Sequence, residues 1–319
     1  MERFYLLLRR VSGHPFHMLV IICLVTIIIR LYTSCPGQPQ TKIICYEEEP
    51  GSDPTTGLET AVQFVPFNGA TPSSCQLVIE PRSTTLSSQE RGRAKDCESN
   101  YQSDYGRDVA RFWSWNTQYI RHSHHTYLGR DSLVIDVGGN VGKDSQALLD
   151  RYEPRWYVIL EPLKVLYRRL ARKFASRPNV LLYNFGLAKK TSRFMVSVEG
   201  DGGEATSPFL AKSSENTCLL KVVNTTEFLS RLGVGCYDVD LLTINCEGCE
   251  YEVLEAIIST SLINNFKHIQ FATHTGLDYL QDPVHRYCDI QQLLARTHGV
   301  GYQYRFVWET WTRKDLLDT

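Results

Sequence analysis

Residues 133–145 read LVIDVGGNVGKDS, so an aspartate, three glycines and an asparagine fall together where a short apolar run ends. Glycines let a backbone turn sharply and approach a ligand closely. A phosphate-binding P-loop requires Gly, four residues, then Gly-Lys-Ser/Thr, but Gly142-Lys143 is followed by Asp144. The dinucleotide pattern G-x-G-x-x-G is not met either, because the turn is Gly138-Gly139-Asn140-Val141-Gly142. What remains is Asp136-x-Gly138-x-Asn140-x-Gly142, followed by a second acid, Glu161, at the end of the next apolar run, WYVILEP.

An acid at a strand end accepts hydrogen bonds from a ribose diol. A sulfonium cofactor carries no phosphate and asks for no lysine or arginine. The pattern therefore predicts a site for S-adenosylmethionine, with Asp136 near its cationic amino-acid end and Glu161 on its ribose. A tight strand-to-helix turn without a ligand is the competing account.

A second group of candidates lies further along, in VDLLTINCEGCEYEV and HIQFATH. Transfer to a hydroxyl is helped by a base. His274, at the end of its run, is the preferred candidate because histidine titrates near neutrality. Glu247 is the other; a carboxylate favoured by a helix N-terminus is its structural alternative. Cys246 and Cys249 form a lone C-x-x-C. Zinc would need a second pair, so a buried thiol or a disulfide is expected. His122, His124 and His125 lack an acid or cysteine at ligand spacing, so they are expected in a solvated loop, and no metal is expected. Asp238-Val239-Asp240 matches a nucleotide-sugar D-x-D but precedes its apolar run, as a turn would.

These residues need elements to hold them. Apolar runs at 133–137, 156–162, 180–184, 239–245 and 268–274 predict strands, and segments 143–151, 162–176 and 250–259 predict helices. Alternation at these lengths gives an α/β fold with a parallel sheet flanked by helices. Ligands in such folds bind at the carboxyl ends of the strands.

Upstream, MLVIICLVTIII (residues 18–29) is an uncharged apolar run preceded by Arg3, Arg9 and Arg10. The positive-inside rule makes it a type II signal anchor in the lipid bilayer. The expected organisation is a cytoplasmic tail (1–15), a transmembrane anchor (16–33), a lumenal stalk rich in Pro, Gly, Ser and Thr (34–100), and a catalytic-looking domain (101–319). Nine of the 10 cysteines follow the anchor, and Asn224-Thr225-Thr226 is a glycosylation acceptor motif; both fit an oxidising secretory lumen. The net charge is −1, which gives no reason to expect nucleic acid.

With these residues in view, the sequence resembles the FkbM-type methyltransferases over roughly residues 105–300. VIDVGGNVGKDS is similar to their cofactor loop, Glu161 in ILEP to their ribose-binding acid, and LYNFGLAKK to the segment after their third strand. DLLTINCEGCEYEVLEAI resembles the family's most recognisable stretch. The resemblance implies a Rossmann-like sheet, S-adenosylmethionine, and methylation of oxygen, often on sugars. Two departures stand out. Where the family has Lys-x-Asp at the end of the fourth strand, this chain has Thr243-Ile244-Asn245, and an asparagine cannot ionise. Where the family has Glu before a His, it has Ala272-Thr273-His274. Asn245 and Glu250 are the expected acceptor-binding residues. The expectation is an anchored, lumen-facing O-methyltransferase acting on a carbohydrate. A non-catalytic lumenal binding protein and a type II glycosyltransferase are the alternatives.

Overall fold

The computed structural model describes residues 77–114, 117–199, 203, 205–211 and 217–317. The chain divides into two units, Met1–Lys42 and Ile43–Thr319. The expected tail, anchor and most of the stalk lie outside the described residues. No helix among the described residues is long and apolar enough to cross a membrane.

The central sheet has seven strands in the order β3-β2-β1-β7-β8-β10-β9. Its first half is β1 (Leu133–Val137), β2 (Trp156–Leu160) and β3 (Val180–Tyr183). On the other side of β1 lie β7 (Leu241–Ile244), β8 (His268–Ala272), β10 (Trp308–Arg313) and the edge strand β9 (His298–Tyr304). All neighbours are parallel except that β10 runs antiparallel to β8 and β9. β1 and β7 are buried at every position, as strands covered on both faces must be. One face packs Val134, Tyr157 and Ile159 against Leu148 and Leu149 of α4 (Lys143–Tyr152) and Leu170 of α5 (Lys164–Lys173). The opposite face packs Ile135, Leu242 and Ile269 with α7 (Cys249–Ile258) and α8 (Pro283–Leu294). The fold is α/β and Rossmann-like, as expected. Beside it sits a small sheet of β4 (Gly186–Ala188), β6 (Thr217–Asn224) and β5 (Ser192–Ser197). From β6 the chain enters α6 (Thr225–Leu232).

The stalk boundary at residue 100 is corrected. Residues 88–99 form α1 (Ser88–Ser99), directly followed by α2 (Tyr101–Phe112). α1 buries only Ala94 and Cys97, so it carries no apolar stripe that a periodicity argument could find. It starts instead with a capping box, Ser87 with Glu90, in which each side chain satisfies the other's backbone N–H. Glu90 also pairs with Arg296 at 2.8 Å, and the Cys97–Cys288 disulfide ties α1 to α8 across 191 residues. Cys97→Ser combined with Cys288→Ser is expected to cost about 2–4 kcal/mol, a fall of roughly 5–15 °C in melting midpoint. An unmoved midpoint would mean that the ion pair and cap hold α1 unaided.

The expectation for the histidine-rich segment is corrected at His122 and His125. His122 lies in the short α3 (Ile120–Ser123), with its Nε2 2.7 Å from Asp144. His125 is fully buried and meets Gln270 of β8. His122 and His125 are thus packed against the domain, while His124 is exposed, as expected of a solvated segment. Both acids of the D-x-D are used at the start of β7: Asp240 takes the Leu133 N–H and Lys267, and Asp238 takes Arg313. They sit at the opposite strand end from the glycine turn.

Candidate cofactor and acceptor site

Strand order reverses beside β1, since β2 and β3 extend to one side and β7 and β8 to the other. Such a switch point opens a crevice at the carboxyl ends of the strands. Here the crevice is a cleft of about 440 Å³, counting the solvent at its mouth, lined by Gly138, Asn140, Glu161, Asn245, Cys246 and Glu247 among others. Each of these follows β1, β2 or β7.

The turn after β1 is held by the Gly138 and Gly139 N–H groups, which both donate to the Leu160 carbonyl at 3.0 Å. Gly138 has φ +98°, and a Cβ there would lie 2.0 Å from the Asn245 carbonyl oxygen. Asn140 also takes a left-handed conformation, φ 49°. Its N–H donates to Glu161 Oε2 at 2.7 Å, while the Leu163 N–H donates to Oε1 at 2.8 Å. Asn140 Oδ1 is buried with no hydrogen-bond partner among the described residues. Burial pushes the Glu161 carboxyl up to about 7 against these two N–H donors, and the Asp136 charge adds to the rise.

Of the six cofactor residues expected from the sequence, Gly138, Asn140 and Glu161 line the cleft. Gly139 and Gly142 instead pack the turn onto its neighbours: a Cβ on Gly139 would lie 2.3 Å from Ile159 Cγ2, and one on Gly142 2.7 Å from Leu170 Cδ2. Asp136 is the correction. Its Oδ2 accepts from Ser145 at 2.7 Å and Tyr157 at 2.9 Å, and it does not line the cleft. Burial pushes its carboxyl up to about 6, against the hydrogen bond from Ser145. It fastens α4 and β2 beneath the turn.

The acceptor-side candidates meet, although they come from two segments. Glu250, nearly fully buried, accepts from the Gly248 N–H at 2.9 Å through Oε2 and from the His274 N–H at 2.9 Å through Oε1. The same Oε1 lies 3.0 Å from His274 Nδ1, and His274 Nε2 is 3.3 Å from Glu247 Oε1. Burial alone would lower the His274 pKa, but the Glu250 charge and the bonds to both acids override it and raise it to about 10. With Glu247 and Glu250 on its two ring nitrogens, His274 favours the imidazolium at neutral pH, a form with no lone pair to offer, and this arrangement argues against the base role expected for it. Glu250 is likewise a support behind the cleft, not an acceptor-binding group. Glu247 and Asn245 face the cleft.

Cys246 and Cys249 are joined in a disulfide, one of the two fates expected for them. Leu163 and Leu166 line the cleft as well, which their place on the apolar stripe of segment 162–176 did not reveal. Asn224 caps α6 by accepting the Glu227 N–H at 2.8 Å, and its amide donates to the Lys189 carbonyl at 2.6 Å. That role accounts for asparagine here without a glycan.

No protein-family profile matches the chain, and no curated protein matches it. Among solved structures, the methyltransferase FkbM from Methylobacillus flagellatus is 13% identical, with a TM-score of 0.41, over 60% of this chain and 45% of that one. A Streptococcus mutans protein solved in complex with SAH is 10% identical, TM-score 0.38, over 62% of this chain and 96% of that one. An rRNA methylase from Streptococcus thermophilus is 12% identical, TM-score 0.36, over 61% and 93%. The chain thus spans less than half the length of the FkbM structure.

Proposed function

We propose that the chain is an S-adenosylmethionine-dependent methyltransferase acting on oxygen, with a carbohydrate hydroxyl as acceptor. One observation carries the reading. Among the described residues lining the cleft, Glu161 and Glu247 are the charged side chains, and none is a lysine or arginine. Such a cleft suits a cationic ligand and repels phosphate. The unpartnered Asn140 Oδ1 and the glycine cradle leave a donor-seeking surface beside Glu161, as a ribose and an amino group require.

In this reading Glu161 holds the ribose diol, Gly138 lets the backbone come close, and Asn140 receives a donor from the cofactor. The cofactor, when bound, supplies a methyl group on a positively charged sulfur. Methyl transfer is an in-line displacement, so most of the acceleration comes from positioning. Glu247 orients the acceptor hydroxyl and takes its proton, while His274 holds Glu247 in place from the side.

The compartment and anchor are part of the same proposal. All six described cysteines, Cys97, Cys218, Cys236, Cys246, Cys249 and Cys288, are disulfide-bonded, which supports an oxidising lumen. The apolar run at 16–33 supports a single-pass type II protein of the endoplasmic reticulum or Golgi, and an oxidised fold supports a glycoconjugate over a cytosolic RNA. The rRNA methylase among the similar structures means that the fold itself does not argue against nucleic acid. Asn245 favours a second reading, a non-catalytic lumenal protein that binds cofactor or glycan without turnover.

Calorimetric titration of S-adenosylmethionine into the full-length protein tests the first reading. Ionised Glu161 is the form that accepts the diol, so binding below its pKa must expel a proton. Micromolar affinity at pH 8, about tenfold weaker at pH 6, is expected, with proton release visible as a buffer-dependent enthalpy. Glu161→Ala should abolish both effects. A folded protein that binds no cofactor at pH 8 would overturn the reading.

A further inference from the structure

We propose that the Cys246–Cys249 disulfide is the positioning element of the acceptor side, and that its reduction by a dithiol disarms that side while leaving the cofactor side in place. The inference rests on the proposed methyl transfer, but its main readout does not.

The bond closes the four-residue turn Cys246-Glu247-Gly248-Cys249 between β7 and α7. Inside that ring two successive residues are left-handed, Glu247 at φ 53° and Gly248 at φ 104°. For Gly248 this is ordinary. For Glu247 it is a sparsely populated conformation that needs support from outside the residue. The ring supplies that support, and the outcome is an aimed carboxylate, with Glu247 in the cleft and within 3.3 Å of His274 Nε2. Cys246 itself lines the cleft, so a small dithiol can reach the bond from the open side.

Glu250 fastens the far side of the same turn through the Gly248 N–H and His274. With the disulfide cut, Glu250 still holds His274, but nothing covalent keeps Glu247 in its left-handed conformation. The glycine turn, Asn140 and Glu161 are fastened to each other and to Leu160 and Leu163 by hydrogen bonds that do not involve the disulfide. Reduction is a two-electron step: a dithiol gives two electrons and two protons to the Sγ–Sγ bond, leaving two thiols on the protein and a disulfide on the reductant. The site is less suited to catalysing exchange itself. Cys246 Sγ lies 3.7 Å from Glu250 Oε2, and a neighbouring carboxylate opposes formation of the thiolate that exchange requires.

The groups facing His274 are Glu247 and Glu250, with the Tyr251 hydroxyl donating to its carbonyl at 3.3 Å. Loss of Glu247 from this set therefore has a direct signature. Ring-labelled histidine NMR of the full-length protein would follow His274 among the nine histidines, assigned through its absence in His274→Gln. In the wild type His274 should stay protonated beyond pH 9. In the double variant Cys246→Ser/Cys249→Ser its midpoint should fall by at least one unit, and Glu247→Gln should give a similar fall. S-adenosylmethionine affinity should remain within threefold of wild type. If the double variant does not fold, mild reduction of the wild type with dithiothreitol, with alkylation confined to Cys246 and Cys249, should produce the same fall. An unchanged His274 midpoint in the folded variant or the selectively reduced protein would overturn the proposal. A shifted midpoint in a protein that binds no S-adenosylmethionine would uphold the positioning role and sink the methyltransferase reading instead.

Discussion

Gly138→Ala is expected to abolish S-adenosylmethionine binding and to destabilise the fold by about 2–5 kcal/mol. Two independent effects add. Gly138 has φ +98°, where an L side chain is strained whatever the space around it. The added Cβ would also lie 2.0 Å from the Asn245 carbonyl oxygen, 2.8 Å from its carbonyl carbon and 3.2 Å from Cys246 Cα, all backbone atoms. A flexible side chain could move aside, but backbone cannot do so without separating β1 from β7. These strands are joined there by the Asn245 N–H donating to the Val137 carbonyl at 2.9 Å. Moving Asn245 also moves Cys246 and Glu247, so both halves of the cleft are lost together. Stability of typical domains is about 5–15 kcal/mol, so the variant should remain largely folded. Calorimetry should then show a loss of more than about 100-fold in affinity, with a lowered melting midpoint. Gly129→Ala is the control, because a Cβ there meets nothing within 4 Å. Wild-type affinity in Gly138→Ala would remove the glycine turn from the cofactor site.

The same turn shows what could be read in the sequence. Strand, glycine turn and helix follow from local chemistry, and the second acid at the next strand end comes from counting along the βαβ pattern. Side-chain direction does not. β1 is buried on both faces, so its apolar run has no alternation to tell which face Asp136 takes. Asp136 pairs in register with Ile159 and shares its face with Tyr157, away from the cleft. The hairpin β9–β10 escaped for a different reason. Its turn has Phe306 at φ 61°, where a glycine or asparagine would have signalled it. Packing of Phe306 on Tyr101 and Tyr287, at ring separations of 4.8 and 4.1 Å, holds that conformation in place of a favourable residue type. The acceptor-side residues were each visible singly, but their contact was not. His274 and Glu250 are 24 positions apart, and only the parallel pairing of β7 with β8 brings them within hydrogen-bond distance. That contact changes the reading of the histidine, since a strand-end histidine alone would titrate near neutrality and the two carboxylates beside this one raise its pKa to about 10.

That change leads to the second large effect. Glu247→Gln is expected to lower turnover by about 10²–10⁴-fold, with a far smaller loss of S-adenosylmethionine affinity from the removed cleft charge. Gln keeps the shape and hydrogen-bonding reach of the side chain but cannot accept a proton from the acceptor hydroxyl. Turnover would be read as S-adenosylhomocysteine release with methyl glycosides as acceptors, at saturating cofactor so that Glu161 ionisation does not enter. The pH profile separates Glu247 from His274 as the base. A neutral histidine base would make kcat rise through pH 6.5. His274 is held protonated to about 10, so the wild-type kcat should show no step near 6.5. The same shift appears in stability. A histidine whose pKa rises from 6.5 unfolded to about 10 folded stabilises the native state fully below pH 6.5. That contribution fades as the pH climbs toward 10 and is gone above it. Denaturant unfolding at pH 6 and pH 10 should therefore differ more in the wild type than in Glu247→Gln, where one of the two carboxylates that hold the proton is gone. A kcat step at 6.5, or a pH dependence of stability that Glu247→Gln leaves untouched, would return the base role to His274.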